Sequence, residues 1–415
     1  MRILFLSQYF PPEIGAPQNR LHGLAVRLLK KGADVKVLTA MPNYPEMKVH
    51  QEYEGKWFDH EERDGLEVYR SYVYCSQKLT ILRRMLNYLS FTFSSVLLGM
   101  SRVPHCDLII CESPPLSLAI TAILLKWRHG ARLVFNVSDL WPESARQLGL
   151  VRNRLVLSLA GKLEMYAYRH SDLITGQTNF IVDDIKRRTG REEVYWLPNG
   201  IDMELYQGYL DETGAQDAAR ERNAWRSQFG FGEDDFIILY AGILGHAQKL
   251  ETILRAAQQL SGRPQIKFLL LGTGPCREEL LRLKEKIGVT NVMFENPVPK
   301  NEMPDVLNAI DAGVVPLARH KLFTGAIPSK IFELLVMKKP LLLGVEGEAK
   351  RIFIDETPCG LAFEPEDQGD LAAKARQLAE NRGMADSFGE NGHKLVMRDF
   401  TFRTIADKLW RIILQ

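Results

Sequence analysis

Apolar residues come along this chain in short blocks, separated by longer stretches in which they recur every three or four positions. Blocks at 3–7, 35–39, 107–111, 132–136, 172–176 and 194–197 have strand length and end in polar or turn residues, so they read as buried parallel strands. Residues 67–73 add a strand to an otherwise irregular segment running from 41 to 75. Between the blocks the spacing is helical. From about Gln18 to Lys31 the residues Leu21, Leu24, Ala25, Leu28 and Leu29 share one face, and Gly32 ends the run. Helices are also expected over 115–129, 155–169 and 180–189, so the first half holds about six β/α repeats. Residues 207–235 are polar and charged, and the domain boundary is placed there or just before, near Pro198. A second series follows, with strands at 236–242, 267–271, 292–295, 312–315 and 341–344. Its helices are at 250–260, 278–287 and 371–381, and an amphipathic helix at 405–414 closes the chain. The fold class is α/β, with two doubly wound parallel sheets.

Within the second series one stretch stands out, Thr324-Gly-Ala-Ile-Pro-Ser-Lys-Ile-Phe-Glu-Leu-Leu-Val-Met-Lys-Lys-Pro340. It starts as a loop, becomes an apolar helix and stops at Pro340. Ser329 or Lys330 then sits at a helix N-terminus, where free N–H groups and the dipole favour an anion. Lys330 adds a full positive charge, and Glu333 lies one turn in, within reach of hydroxyls attached to the anion. A phosphate beside a polyol describes a nucleotide sugar. An ordinary capped core helix fits the same residues.

The 46% hydrophobic content suffices for sizeable cores, and 415 residues suggest two or three domains. A net charge of +2 gives no reason to expect a nucleic-acid partner. The five cysteines, Cys75, Cys106, Cys111, Cys276 and Cys359, are scattered and odd in number, which suits a reduced cytoplasmic protein. The N-terminus enters a strand pattern directly, so no signal peptide is expected, and no run is apolar enough for a membrane span.

Residues 78–102 are unusual. They contain Lys78, Arg83, Arg84 and Arg102 but no acid, together with Leu79, Leu82, Leu86, Leu89 and Phe93. Such a helix can lie on an anionic membrane, where Lys78, Arg83 and Arg84 are worth about 1 kcal/mol each, or roughly a hundredfold together. A buried helix with a basic start reads equally well.

Gly15 lies in the loop after the first strand, where open parallel sheets bind ligands, although a plain turn glycine explains it too. Asp139 follows the strand at 132–136 in the same kind of position. Gly242, Gly245 and Lys249 occupy the loop after the strand at 236–242, where the single histidine His246 is more often a surface residue than a catalyst. With Lys330 and Glu333 these residues are suited to neutralise a diphosphate, and stabilising its charge as it leaves is the main catalytic task. Amides and lysine supply the positive field, so no metal is required. The chain has no zinc-ligand spacing, no Gly-x-x-x-x-Gly-Lys-Ser/Thr loop, no dinucleotide fingerprint and no Gly-x-Ser-x-Gly elbow.

Several motifs in order carry a resemblance: Tyr9-Phe-Pro-Pro-Glu-Ile-Gly15, Asp139-Leu-Trp-Pro-Glu143, Pro198-Asn-Gly-Ile-Asp202, Tyr240-Ala-Gly242, Gly272-Thr-Gly-Pro275 and Pro328-Ser-Lys-Ile-Phe-Glu333. Singly they are weak; their order and spacing over nearly the whole length are specific. The chain resembles retaining glycosyltransferases of family 4 with the GT-B fold. Within them it looks most like the bacterial O-antigen and lipid-linked oligosaccharide enzymes of the L-fucosamine transferase (WbuB-like) type. The resemblance implies two Rossmann-like domains facing across a cleft. Residues 1–200 would bind the acceptor, with 400–415 packing back on them, and residues 201–399 would bind a nucleotide sugar, usually UDP-linked. It implies that Glu333, the second glutamate of a Glu-x7-Glu motif, holds the ribose hydroxyls, that Lys249 contacts phosphate, and that Val298 sits by the base. Gly15 would lie close to the diphosphate, and Asp139 would position sugar or acceptor. Ser329 and Lys330 stand at the phosphate end of the helix, and Lys330 and Asp139 are the catalytic candidates. The acceptor would be a polyprenyl-diphosphate-linked sugar, with the enzyme peripheral on the inner face of the cytoplasmic membrane and the donor sugar an N-acetylated 6-deoxyhexose such as L-FucNAc.

The chain departs from the family pattern twice. The first glutamate of Glu-x7-Glu falls at Gly325, and the arginine after the Tyr-Ala-Gly strand is Ile243. Lys330 and His246 are the candidates to replace that charge. A sugar-nucleotide epimerase of the same fold and a non-catalytic sugar-nucleotide sensor are the alternatives; radiolabelled donor, with and without acceptor, separates them.

Overall fold

The computed structural model describes the chain except for residues 14, 45, 78–79, 148, 150, 152 and 211–214, together with the side chains of residues 16, 81 and 215–220. The chain divides into two compact units: Met1–Asn199 with Phe402–Gln415, and Gly200–Thr401.

The first unit runs β1 (Arg2–Leu6), α1 (Ala16–Lys30), β2 (Asp34–Ala40), β3 (Phe58–Arg63), β4 (Leu66–Ser71), α2 (Ile81–Ser101), β5 (Leu108–Ser113), α3 (Leu118–His129), β6 (Arg132–Val137), α4 (Glu143–Gln147), α5 (Arg154–His170), β7 (Leu173–Gly176), α6 (Asn179–Thr189) and β8 (Val194–Trp196). Its sheet has the order β3-β4-β2-β1-β5-β6-β7-β8. Every neighbouring pair is parallel except β3 with β4. The seven strands expected from apolar blocks are all present. The eighth, β3, forms a hairpin with β4 through Asp64 and Gly65, both at positive φ. An Asp-Gly pair is a strong hairpin signal. The polar sequence of this edge strand hid it from a reading that looked for apolar blocks.

The parallel strands are apolar on both faces because helices cover both. On one side α2, α3, α5 and α6 pack Phe91, Ile123, Tyr168 and Ile185 into one core. On the other, α1 contributes Leu21, Leu24 and Leu28 beside residues of the C-terminal helix α16 (Phe402–Leu414). Gly23 allows these two helices to touch, since a Cβ there would stand 2.3 Å from the Phe402 ring.

The second unit runs α7 (Gln207–Leu210), α8 (Ala215–Gln228), β9 (Phe236–Ala241), α9 (Glu251–Gln259), β10 (Ile266–Leu271), α10 (Arg277–Ile287), β11 (Val292–Glu295), α11 (Met303–Ala309), β12 (Ala312–Pro316), α12 (Lys330–Val336), β13 (Leu341–Gly344), α13 (Glu348–Lys350), β14 (Gly360–Ala362), α14 (Gln368–Glu380) and α15 (Arg382–Asp399). After it, α16 (Phe402–Leu414) returns the chain to the first unit. The sheet order is β11-β10-β9-β12-β13-β14, all parallel. The 18-residue helix α15 escaped the periodicity reading. Its glycines dilute the pattern and have a packing reason. A Cβ on Gly389 would meet the Lys338 carbonyl at 2.0 Å, and one on Gly392 would meet Leu335 at 2.3 Å.

Candidate functional site

In an open parallel sheet, ligands bind where neighbouring strands send their chains in opposite directions. In the second unit that point lies between β9 and β12. The loop leaving β9 is held by backbone bonds. Gly242 N–H donates to the Leu271 carbonyl, and Leu244 N–H donates to that of Thr273, both at 2.9 Å. This approach needs glycines. Gly242, Gly272 and Gly274 have φ of 136°, 151° and 156°, and a Cβ on Gly272 would lie 1.9 Å from the Gly242 carbonyl oxygen. The Tyr240 hydroxyl donates to the Ile243 carbonyl at 2.6 Å, and the Ile243 side chain points into solvent.

The loop leaving β12 joins this arrangement through Ala318 N–H, which donates to the Ala247 carbonyl at 2.8 Å. It then leads to Ser329 and the start of α12 at Lys330. Ser329 is exposed and its hydroxyl makes no capping bond. Lys330 turns back so that Nζ lies 3.7 Å from the centre of the Tyr240 ring and 3.1 Å from where a Gly242 Cβ would be. The structure therefore brings Gly242 and Lys330 together, with Tyr240 as the platform. Glu333 follows one turn later, beside Lys330 in a small pocket with Leu239, Ala241 and Met303. Among the described residues, neither Lys330 nor Glu333 has an ion-pair partner.

Both side chains are half-buried, and burial acts on both. It pushes the Lys330 ammonium down to about 7, against a smaller opposing pull from Glu333. It pushes the Glu333 carboxyl up, partly offset by Lys300 and Lys330. The expected full positive charge at Lys330 is thus corrected: near neutral pH the empty site holds it only in part. Packing against Tyr240 removes water that an exposed helix end would have kept.

The remaining expected residues of this unit lie around the same edge. Lys249 ends the β9 loop in a left-handed conformation (φ 48°), with Nζ 3.7 Å from Glu251. His246 is exposed, and its Nδ1 lies 3.2 Å from Sγ of Cys276, whose thiol is pushed up by burial. Val298 is half-buried in the loop after β11. Sequence reasoning assigned no role to Tyr240, although it stands in a motif already singled out. It also missed Tyr206, whose buried hydroxyl has no partner among the described residues and whose titration is raised by burial and by Glu333 and Asp202.

In the first unit, Gly15 precedes α1 in an extended conformation (φ 178°) open to any residue. Asp139 is half-buried after β6 and accepts a hydrogen bond from the Ser144 hydroxyl. Two unassigned acids organise this edge. Glu13 accepts from the backbone N–H groups of Phe10 (3.2 Å), Asn43 (2.7 Å) and Tyr44 (2.8 Å), and burial raises its carboxyl to about 7. Glu112 receives both bonds from Arg20 Nη2, at 2.7 and 2.8 Å, and one from Asn136 at 2.8 Å. The Ser138 hydroxyl, next to Asp139, also donates to Glu112. Glu13 lies within a quoted motif, whereas Arg20 and Glu112 left no signal beyond a charge inside an apolar pattern.

Of residues 78–102, Lys78 and Leu79 lie outside the described residues, and most of the rest forms α2. Leu82, Leu86, Leu89, Phe93, Leu97 and Met100 are exposed along one stripe, while Asn87, Thr92, Ser94 and Ser95 face inward. The Thr92 hydroxyl donates to Ser117 at 2.8 Å, and those of Ser95 and Thr121 lie 2.9 Å apart. Among the described residues, no helix is long and apolar enough to cross a membrane.

Comparison with known proteins agrees with this architecture. Residues 15–200 match the profile described as "Glycosyl transferase 4-like domain", and residues 221–395 match "Glycosyl transferases group 1". A relative from Escherichia coli K12, called a putative colanic acid biosynthesis glycosyl transferase (WcaI), is 27% identical over 94% of this chain and 96% of its own. Sucrose-phosphate synthase from Thermosynechococcus elongatus superposes with a TM-score of 0.75 at 16% identity, covering 100% of this chain and 98% of the other. The Anabaena protein HepE, solved in complex with UDP-glucose, gives 0.70 at 17% identity over 100% and 99% of the two chains. With glycosyltransferase profiles matched in both units and this fold beneath them, the chain is a glycosyltransferase of the GT-B, family 4 type.

Proposed function

We propose that the protein transfers a sugar from a UDP-sugar to a polyprenyl-diphosphate-linked sugar acceptor during synthesis of a bacterial surface polysaccharide, retaining configuration at the anomeric carbon. The second unit binds the donor and the first receives the acceptor. The observation that carries this reading is Lys330, half-buried over Tyr240 and against Gly242 and without an ionic partner among the described residues. A lysine so placed lacks an anion. A diphosphate there would restore its charge, and Lys330 would then stabilise the negative charge that grows as UDP leaves. Ser329 and Lys249 add donors, His246 adds a donor at the exposed rim, Glu333 takes the ribose hydroxyls, and Val298 lies by the base. In the first unit Gly15 and Asp139 serve the acceptor and the sugar being moved.

Relatives support this reading. One is named for colanic acid biosynthesis and another, from Bacillus subtilis, for teichuronic acid biosynthesis. HepE was solved with UDP-glucose. An N-acetylated 6-deoxyhexose such as L-FucNAc suits a site with Gly325 and Ile243 where the family carries glutamate and arginine. We infer that lysine and backbone amides stabilise the departing diphosphate without a metal ion. The acceptor's lipid chain places the enzyme at the inner face of the cytoplasmic membrane, with α2 in contact with it. A thermal-shift screen over UDP, GDP and CDP sugars tests the donor, with UDP expected to stabilise most. Radiolabelled donor must then pass to a polyprenyl-diphosphate sugar; donor consumed without acceptor, or left intact with every lipid acceptor, would sink the reading.

A further inference from the structure

Single exposed apolar side chains are normal on any protein surface, whereas a contiguous set marks a contact. Eleven of the eighteen exposed large apolar side chains among the described residues lie on α2, α3 and α5. Among the described residues the second unit shows two, Ile243 and Met397, and the α1/α16 layer on the other face of the first sheet shows Leu414. The three helices are neighbours, with α3 packed against both α2 and α5. Beside the α2 stripe, α3 presents Ile120 and Trp127, and α5 presents Leu155, Leu159 and Tyr166. Leu155 and Leu159 are 75% and 66% exposed, one helical turn apart.

The three helices are also poor in acids. Neither α2 nor α3 contains an acid, and the one acid of α5, Glu164, is buried against Arg188. The exposed charges of α5 are basic: Arg154, Lys162 and Arg169. Apolar side chains, an amphipathic Trp and Tyr, and long basic side chains that can reach headgroups are what the boundary of a bilayer accepts. A protein partner of ordinary composition would leave these cations without the acids they need unless it supplied them.

We propose that α2, α3 and α5 together form one bilayer-seated face, held mainly by insertion of its apolar side chains and only secondarily by the basic start of α2. This deepens the membrane contact of the proposed function but does not depend on the chemistry of transfer. The hydroxyl bonds that join α2 to α3 leave the leucines outside, the reverse of an ordinary surface helix.

The test uses the full chain with vesicles of phosphatidylcholine alone and of phosphatidylcholine with phosphatidylglycerol, at low and high salt. Wild type is expected to bind both and to stay bound at high salt. Leu155→Ser with Leu159→Ser, far in sequence from the basic stretch, should weaken binding roughly tenfold on both lipids. Arg83→Glu with Arg84→Glu should remove only the extra affinity for the anionic vesicles. Brominated lipid should quench Trp127 fluorescence, measured as the difference from Trp127→Phe. Binding confined to anionic vesicles and released by salt would overturn the proposal, as would an unchanged Leu155/Leu159 variant. A wild-type dimer in light scattering that the leucine variant abolishes would assign the face to a second copy instead. Thermal melts of each variant, with and without UDP, check folding; a wild type that ignores UDP yet binds vesicles would break the donor reading and leave this one standing.

Discussion

Two acid–base pairs, one at the carboxyl edge of each sheet, are treated differently by the fold. In the first unit Arg20 and Glu112, 1% and 3% exposed, are bonded to each other through Arg20 Nη2 and to Asn136 and Ser138, while Arg20 Nε and Nη1 have no partner among the described residues. In the second unit Lys330 and Glu333 are half-buried and have no ionic partner among the described residues, and both are drawn toward neutrality. A buried charge that already has its partner maintains the fold, because removing one member strands the other. A charge held short of a partner in a concave site has binding energy still to give to a ligand, and shifts of this kind cluster at functional sites.

The comparison can be broken experimentally. Its largest expected effect is on catalysis: Lys330→Met should lower turnover by roughly 10²–10³ with little change in melting temperature. An unchanged rate would place Lys330 among the charges that only maintain the fold. Arg20→Met should do the reverse. Leaving Glu112 buried and unpaired costs about 3–5 kcal/mol, a loss of roughly 10 °C in melting temperature, while donor affinity in the folded protein holds. Glu333→Ala should raise the donor KM by roughly 10–100-fold, the scale of hydrogen bonds to a charged group, and this effect should vanish with a donor lacking the ribose hydroxyls.

A smaller effect sharpens the picture through pH. Lys330 loses its proton at about 7 in the empty site, and a bound diphosphate favours the charged form, so binding takes up a proton. UDP affinity should therefore be greatest at or just below neutrality and fall by up to about tenfold per unit as pH rises from about 7 to about 9. Calorimetry in buffers of different ionisation enthalpy should show the uptake, and Lys330→Met should abolish it. Smallest of all, EDTA should leave activity unchanged; activity lost in EDTA and restored by magnesium or manganese would show that lysine and amides do not suffice.

Much of the scaffold was legible because parallel strands buried on both faces leave apolar blocks with few other readings. The start of α12 was legible too, since Pro328 and Ser329 precede an apolar helical run. What escaped has a common cause. The hairpin strand β3 is polar because it lies at an edge, and α15 is rich in glycine because it lets the Lys338 backbone approach. Arg20 and Glu112 stand 92 positions apart, and no local pattern announces such a pair. Tyr240 looked like one more strand residue until Lys330, ninety positions later, folded over its ring.

By itself the sequence determined the two sets of strands, the helices between most of them, and the loops at their carboxyl ends, because these follow from periodicity and turn chemistry over a few neighbouring residues. Only the tertiary structure decided which side of α2 meets solvent. Its leucines and its hydroxyls were equally able to turn inward, and bonds from Thr92 and Ser95 to residues of and beside α3 settled the matter. It also decided the protonation of Lys330, because a lysine's charge depends on how much water its neighbours remove, and those neighbours come from a strand far away in the chain.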